Sequence, residues 1–139
     1  MELIQIGPDR FSELKKLHTA YKAAIGEDTP AESELGRLTE AIEQGNILFF
    51  GCIVDGSLAA VCSVCKLFTT YNYQTGGVFE DFYILPEHQH KGIARKLAAY
   101  AFAQSNAASM TVCCADCDLD LYKAIGFTVP LGNTLSYTI

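Results

Sequence analysis

Apolar residues recur along the chain in two rhythms, one near 3.6 residues and one of two, and the switches between them outline the elements. Leu3 to Ile6 is a short apolar run closed by Gly7-Pro8 and reads as a first strand. Phe11, Leu14, Leu17, Tyr21 and Ile25 then return at helical spacing. Thr29-Pro30-Ala31-Glu32 predicts the start of a second helix, with the threonine as N-cap, proline at the first helical position and glutamate at the third. Leu35, Leu38 and Ile42 form its apolar stripe, and it stops near Gly45. Ile47 to Val54 and Leu58 to Phe68 read as strands joined by Asp55-Gly56, a pair suited to the positive backbone angles of a tight hairpin turn.

A polar, tyrosine-bearing connection, Thr69 to Gly77, leads into Val78 to Leu85, a run apolar enough to lie centrally in a sheet and ended by Pro86. Lys91 to Gln104 is helical, with Ile93, Leu97, Tyr100 and Ala101 on one face. Met110 to Ala115 follows as a buried strand and Asp118 to Ile125 as a short helix stopped by Gly126. Phe127 to Ile139 predicts a final hairpin around Gly132-Asn133. The sum is an α/β fold, one domain over residues 1–139, with a mixed, mostly antiparallel central sheet flanked by helices.

Composition narrows the function. Half of the 139 residues are hydrophobic and 19% are charged, which excludes disorder and predicts one well-filled core. Ten Lys plus Arg against sixteen Asp plus Glu give a formal charge of −6, a poor balance for binding nucleic acid. No stretch reaches the roughly 18 apolar residues of a membrane span. Met1-Glu2-Leu3-Ile4 lacks the basic-then-apolar start of a secretory signal, so a cytoplasmic location is expected. The six cysteines are read as reduced, buried thiols. Cys62-x-x-Cys65 with Cys114-x-x-Cys117 imitates a zinc site, but both halves fall in strand segments whose alternate side chains point apart, so no metal is expected.

The stretch from Glu80 to Arg95 carries the chemistry, because it joins a buried strand to a helix whose first amides lack intrahelical partners. Gly92 and Ala94 are small enough there for an anion to approach the backbone. Neither the phosphate loop of nucleotide hydrolases nor the dinucleotide Gly-x-Gly-x-x-Gly fingerprint is present. Gln89-x-x-Gly92-x-Ala94 resembles the Gln/Arg-x-x-Gly-x-Gly/Ala signature of the GCN5-related N-acetyltransferase (GNAT) family. Tyr83-Ile84-x-Pro86 at the strand end, and Leu121-Tyr122-Lys123-Ala124-Ile125-Gly126-Phe127 against the family's Phe-Tyr-x-x-x-Gly-Phe segment, extend the resemblance, and the element order matches over the whole chain.

That resemblance implies a GNAT fold and acetyl-coenzyme A (acetyl-CoA) as co-substrate. Backbone groups of Phe82, Tyr83 and Ile84 would pair with the pantetheine arm as if it were an added strand. The loop from Gln89 through His90, Lys91, Gly92, Ile93, Ala94 and Arg95 would cradle the pyrophosphate. A splay between strand 78–85 and strand 110–115 would leave room for the thioester. Two departures stand out: Ala115 occupies a position where the family often has asparagine, and Gln89 is neutral where arginine is commoner.

An alkyl amine is almost wholly protonated at neutral pH, so a base is useful, and Glu80 is the first candidate. Strict alternation puts it on the face of Phe82 and Ile84, where apolar neighbours would raise its pKa, and puts Asp81 with Phe79 and Tyr83 as the second candidate. The Glu-Asp-Phe-aromatic-apolar order is also similar to polyamine acetyltransferases, where the equivalent glutamate acts through water. Tyr122 is placed by the resemblance near the sulfur, to give the departing thiolate a proton or a hydrogen bond. Glu27 and Asp28, between the first two helices, lie where the family builds its acceptor pocket, and with Glu80 and Asp81 they can attract a cationic amine. His18, His88 and His90 have no triad spacing, and the turn positions of the last two predict solvated side chains.

The function expected is acetyl transfer from acetyl-CoA to the primary amine of a small molecule, polyamine-like among the options, by direct attack in a ternary complex. A protein N-terminus or lysine as acceptor, and a catalytically weak acyl-CoA-binding regulatory module, remain alternatives. A homodimer is expected from the family and from the aromatic connection and final hairpin.

Overall fold

The computed structural model describes residues 1–138. In chain order the elements are β1 (Glu2–Gln5), α1 (Phe11–Ala24), α2 (Glu32–Glu43), β2 (Ile47–Val54), β3 (Ser57–Thr69), β4 (Gln74–Ile84), α3 (Ile93–Ser105), β5 (Met110–Val112) and α4 (Leu119–Ile125). The sheet runs β1-β2-β3-β4-β5; every neighbouring pair is antiparallel except β4 and β5, which are parallel. This is the mixed, mostly antiparallel α/β architecture expected.

The sheet is covered on both faces. Leu14 and Leu17 of α1 meet Phe49, Ile53 and Val61 on one side, with Leu38 and Ile42 of α2 packed at the edge. Leu97 and Ala101 of α3 meet Phe50, Cys62, Val64 and Phe79 on the other. Residues 58–64 of β3 are buried without alternation because that strand is central and has helices above and below it. The Asp55-Gly56 turn takes the positive angles expected of it, φ 50° and 81°.

Several boundaries differ from expectation, each for a local reason. Helix α2 starts at Glu32, with Ala31 rather than Thr29 as its N-cap; Glu34 Oε1 accepts the Ala31 N–H at 3.0 Å and no cap side chain answers. β4 begins at Gln74, so most of the tyrosine-bearing connection is strand. Gly77 makes this possible, since a Cβ there would come within 2.6 Å of Val64 Cγ1. β5 ends at Val112, so Cys113 and Cys117 are exposed rather than buried, although all six cysteines are free. No strand forms in the described part of the expected final hairpin, residues 127–138, while Ile139 lies outside the described residues. The three-residue β5 offers too short an edge to template it, and Leu135 and Tyr137 are 90% and 91% exposed.

Candidate active site

One extra residue in β4 shapes the site. Glu80 pairs with Ser63 and Tyr83 with Val61, so Asp81 and Phe82 together oppose Cys62 alone, and Asp81 takes φ 51°. Such a bulge resets the alternation of side chains. Phe79, Phe82 and Ile84 all pack into the α3 core, whereas Tyr83 packs into the α1 core. The expectation that Glu80 shares a face with Phe82 and Ile84, and Asp81 with Phe79, is therefore corrected. Glu80 lies on the α1 side and is exposed. Asp81 sits on the same side and is half-buried; its Oδ2 accepts a hydrogen bond at 2.7 Å from Ser63 Oγ, a side chain with no exposed surface. Burial first, then the neighbouring Asp81 charge, push the Glu80 carboxyl above its usual range, while Lys22 pulls it down.

The strands part where the chemistry is expected. β5 pairs with β4 only through Gly77, Val78 and Phe79, so the β5-side edge of β4 from Glu80 to Ile84 has no strand partner among the described residues. Beyond it, Pro86–His88 forms one 3-10 turn, and His90 and Gly92 then adopt left-handed angles of 60° and 78°. Gly92 caps α3, which is why the helix starts at Ile93 and not at Lys91. The amides of His90, Lys91 and Gly92 donate to no backbone carbonyl among the described residues, and a Cβ built on Gly92 meets nothing within 4 Å. Amides without backbone acceptors at a helix start, beside Lys91 and Arg95, are chemically able to hold an anion. Gln89, at the start of the loop, donates from Nε2 to the Ile84 carbonyl at 3.1 Å.

Tyr122, on α4, stands at the mouth of the same gap. Its ring centroid lies 6.3 Å from that of Phe82, 6.5 Å from Phe79 and 6.0 Å from Phe127. Burial, then Tyr21, Asp118 and Cys114, push its hydroxyl up to about 12. The hydroxyl therefore stays protonated through the physiological range.

On the α1 side a cavity of about 500 Å³ opens between α1 and α2, lined among others by His18, Lys22, Glu27, Asp28, Thr29 and Leu35. Glu27 and Asp28 both lie in its wall. Glu27 is already engaged, its Oε2 lying 2.7 Å from Lys22 Nζ. His18, Tyr21 and Ser63 are the residues sequence reasoning missed. His18 is 9% exposed and Tyr21 stacks obliquely on both His18 and Tyr83. A signal existed: His18 interrupts the apolar stripe of the first helix, and Ser63 the apolar run of the third strand.

The sequence of residues 45–129 matches the family model of the acetyltransferase (GNAT) domain, which is more than half of the chain. The chain belongs to the GNAT acetyltransferase family. Among proteins of curated function, no sequence matches. Solved GNAT-like structures superpose along nearly the full length. A probable acetyltransferase shares 19% identity at a TM-score of 0.86, covering 100% of this chain and 99% of its own. An aminoglycoside acetyltransferase from an uncultured soil metagenomic sample, in complex with sisomicin, shares 14% at 0.84, covering 99% and 95%. A predicted acetyltransferase with acetyl-CoA from Clostridium acetobutylicum shares 14% at 0.81, again covering 99% and 95%. At these identities the superpositions establish a common fold. With the GNAT domain match they make this chain an acetyltransferase.

Proposed function

We propose that this GNAT enzyme binds acetyl-CoA along the open edge of β4 and acetylates a primary amine of a small molecule held on the α1 side. The observation that carries the reading is the parting of β4 from β5 after Phe79, with the unpaired amides of the Gly92 loop at one end of the gap and Glu80, Asp81 and Tyr122 around its mouth. Backbone groups of Phe82, Tyr83 and Ile84 face the pantetheine arm, less the Ile84 carbonyl that Gln89 occupies. Amides from His90 to Arg95, with the Lys91 and Arg95 charges, hold the pyrophosphate. A complexed aminoglycoside on one structural relative supports a small-molecule acceptor.

Acetyl-CoA supplies the activated acetyl group as a thioester. The protein holds a neutral amine against the carbonyl carbon, the C–N bond forms, and the C–S bond breaks with its electron pair leaving on sulfur, while the proton that the attacking nitrogen then sheds passes through water to that sulfur, so coenzyme A leaves as the free thiol. Glu80 takes the ammonium proton, directly or through water, and its raised pKa suits that work. Tyr122 serves the departing sulfur by a hydrogen bond. An ordinary phenol at about 10 does not release its proton outright to a thiolate whose acid lies near 8.5, and burial widens that gap. Asp81, fixed by Ser63, adds negative potential for a cationic acceptor and keeps Glu80 basic.

Incubating the protein with acetyl-CoA and a panel of small primary amines, and following free thiol, tests the reading. Amine-dependent thiol release with an acetylated amine by mass spectrometry is the expected result; a panel without any acetylated product removes it. Self-association belongs to the same proposal, supported by the exposed apolar residues Phe68, Tyr71 and Tyr73 on the β3–β4 hairpin. Light scattering is expected to return twice the chain mass, and a mass near 15.1 kDa at every concentration would remove the dimer.

A further inference from the structure

The cavity between α1 and α2 contains one nearly buried polar side chain whose hydrogen bonding is incomplete. His18 Nδ1 is sealed from solvent and has no partner, and the residue as a whole is 9% exposed, wedged between Tyr21 and the edge of Phe49. A proton on Nδ1 would be an orphaned buried donor, a far rarer arrangement than an unused lone pair. The proton therefore belongs on Nε2, the ring nitrogen not sealed in, and His18 lines the cavity. Burial disfavours the imidazolium, although the charges of Asp81 and Glu27 oppose that effect and Lys22 adds to it. A neutral ring of this tautomer is a hydrogen-bond donor and cannot act as the base.

We infer that His18 is a specificity-determining residue whose Nε2–H selects acceptors carrying an oxygen as well as the amine, so that a hydroxylated or carbonyl-bearing primary amine is the substrate class and an aliphatic polyamine is not. The rest of the wall agrees. The Lys22 ammonium, 2.7 Å from Glu27, neutralises that carboxylate and Glu34 is tied to the α2 start. Asp28 is left as the one lining carboxylate without a partner among the described residues, one charge where a multiply charged polyamine needs several. Leu35 and Leu38 offer an apolar face for the carbon skeleton. This inference rests on the acetyltransferase reading for its location and adds the chemistry of the acceptor.

Two measurements test it, one without turnover. Nitrogen-15 NMR of the imidazoles is expected to show His18 as the neutral Nε2–H tautomer at pH 7, with its signal shifting on addition of glucosamine. The Nδ1–H tautomer, or a signal indifferent to glucosamine, overturns the inference. In the thiol-release assay, glucosamine, cyclohexylamine and 1,4-diaminobutane are compared on the wild type, His18→Phe and His18→Gln. The expected result is a tenfold or greater rise in KM for glucosamine in His18→Phe, largely restored in His18→Gln, with less than threefold change for the two oxygen-free amines. Equal losses for all three amines, or a wild-type preference for 1,4-diaminobutane, overturn it. If no amine is acetylated while the NMR outcome holds, the acetyl-transfer reading fails and the acceptor site stands.

Discussion

From Phe82 to Arg95 the proposed site is made of backbone contributed by one continuous segment, whereas its α1 side is made of side chains from α1, the α1–α2 loop, β3 and β4. The first half recognises groups common to any acyl-CoA: amides, a pyrophosphate, an extended arm. The second half recognises whatever the acceptor is. A backbone site depends on a few local angles, such as the left-handed Gly92 at φ 78°, and tolerates changes in most side chains. A side-chain site depends on packing between layers, so small changes in sequence retune it.

Changing the backbone half should do the most damage. Gly92→Val puts a branched side chain where the φ is positive and the cradle is open. Acetyl-CoA at a hundred times its Kd should stabilise the wild type by about 2.7 kcal/mol, and the variant should show no such rise in Tm. A full shift in the variant would erase the distinction between the halves.

Between the halves stand the two proton-handling groups, which should fail differently. Tyr122→Phe should cost roughly ten- to a thousandfold in kcat with acetyl-CoA binding unchanged. That loss should be flat from pH 6 to 10, because a hydroxyl pushed up to about 12 does not titrate there. Glu80→Gln should cost roughly ten- to a hundredfold near pH 7 and progressively less at higher pH, where the acceptor amine deprotonates unaided. In the wild type, kcat/KM should rise as pH climbs through the raised pKa of Glu80. Asp81→Asn should move that rise to lower pH, since the Asp81 charge helps hold Glu80 up. Parallel pH profiles for the Tyr122 and Glu80 variants would show that one of the two is misassigned.

The smallest effect belongs to the acceptor half and concerns stability. His18 has a folded pKa below its unfolded value, chiefly through burial, so protonation favours the unfolded chain. Tm should fall as pH drops below about 6.5, the ordinary histidine value, and His18→Phe should lose that component of the slope. Lys22 reinforces the shift while Asp81 and Glu27 oppose it, which limits the size to a few degrees. An unchanged slope in His18→Phe would mean that other groups carry it.

The same division explains what could be read before the structure. The strand-to-helix loop, Gly92 and the Asp55-Gly56 turn are written in adjacent residues whose conformations are locally determined. The apolar faces of the helices followed from the 3.6-residue rhythm, but one core was expected and the sheet separates two. Glu80 was put with Phe82 and Ile84, and Asp81 with Phe79 as well as Tyr83, because alternation was carried straight through a bulge that no residue type announces. A non-glycine at φ 51° is held there by its partner Ser63, which lies 18 residues away in sequence. His18 was set aside for want of triad spacing, because the cavity it lines depends on what α2 brings against α1. The tail failed for a different reason: its Gly132-Asn133 turn is locally plausible, but a hairpin without a neighbouring edge has nothing to pair with.

Asp81 is also the one position of β4 that the strand ladder could do without. If it were removed, Glu80 would still face Ser63, Phe82 would fall opposite Cys62, and Tyr83 and Ile84 would keep their partners Val61 and Ala60. The ladder would then run unbroken, both cores would keep every side chain, and a strained backbone angle would vanish. Architecture has one reason to retain this residue, the carboxylate that accepts from the buried Ser63 hydroxyl. In the proposed enzyme its charge serves the acceptor side, so a shortened strand should turn over more slowly, and it should melt no earlier only when Ser63→Ala removes the orphaned hydroxyl with it.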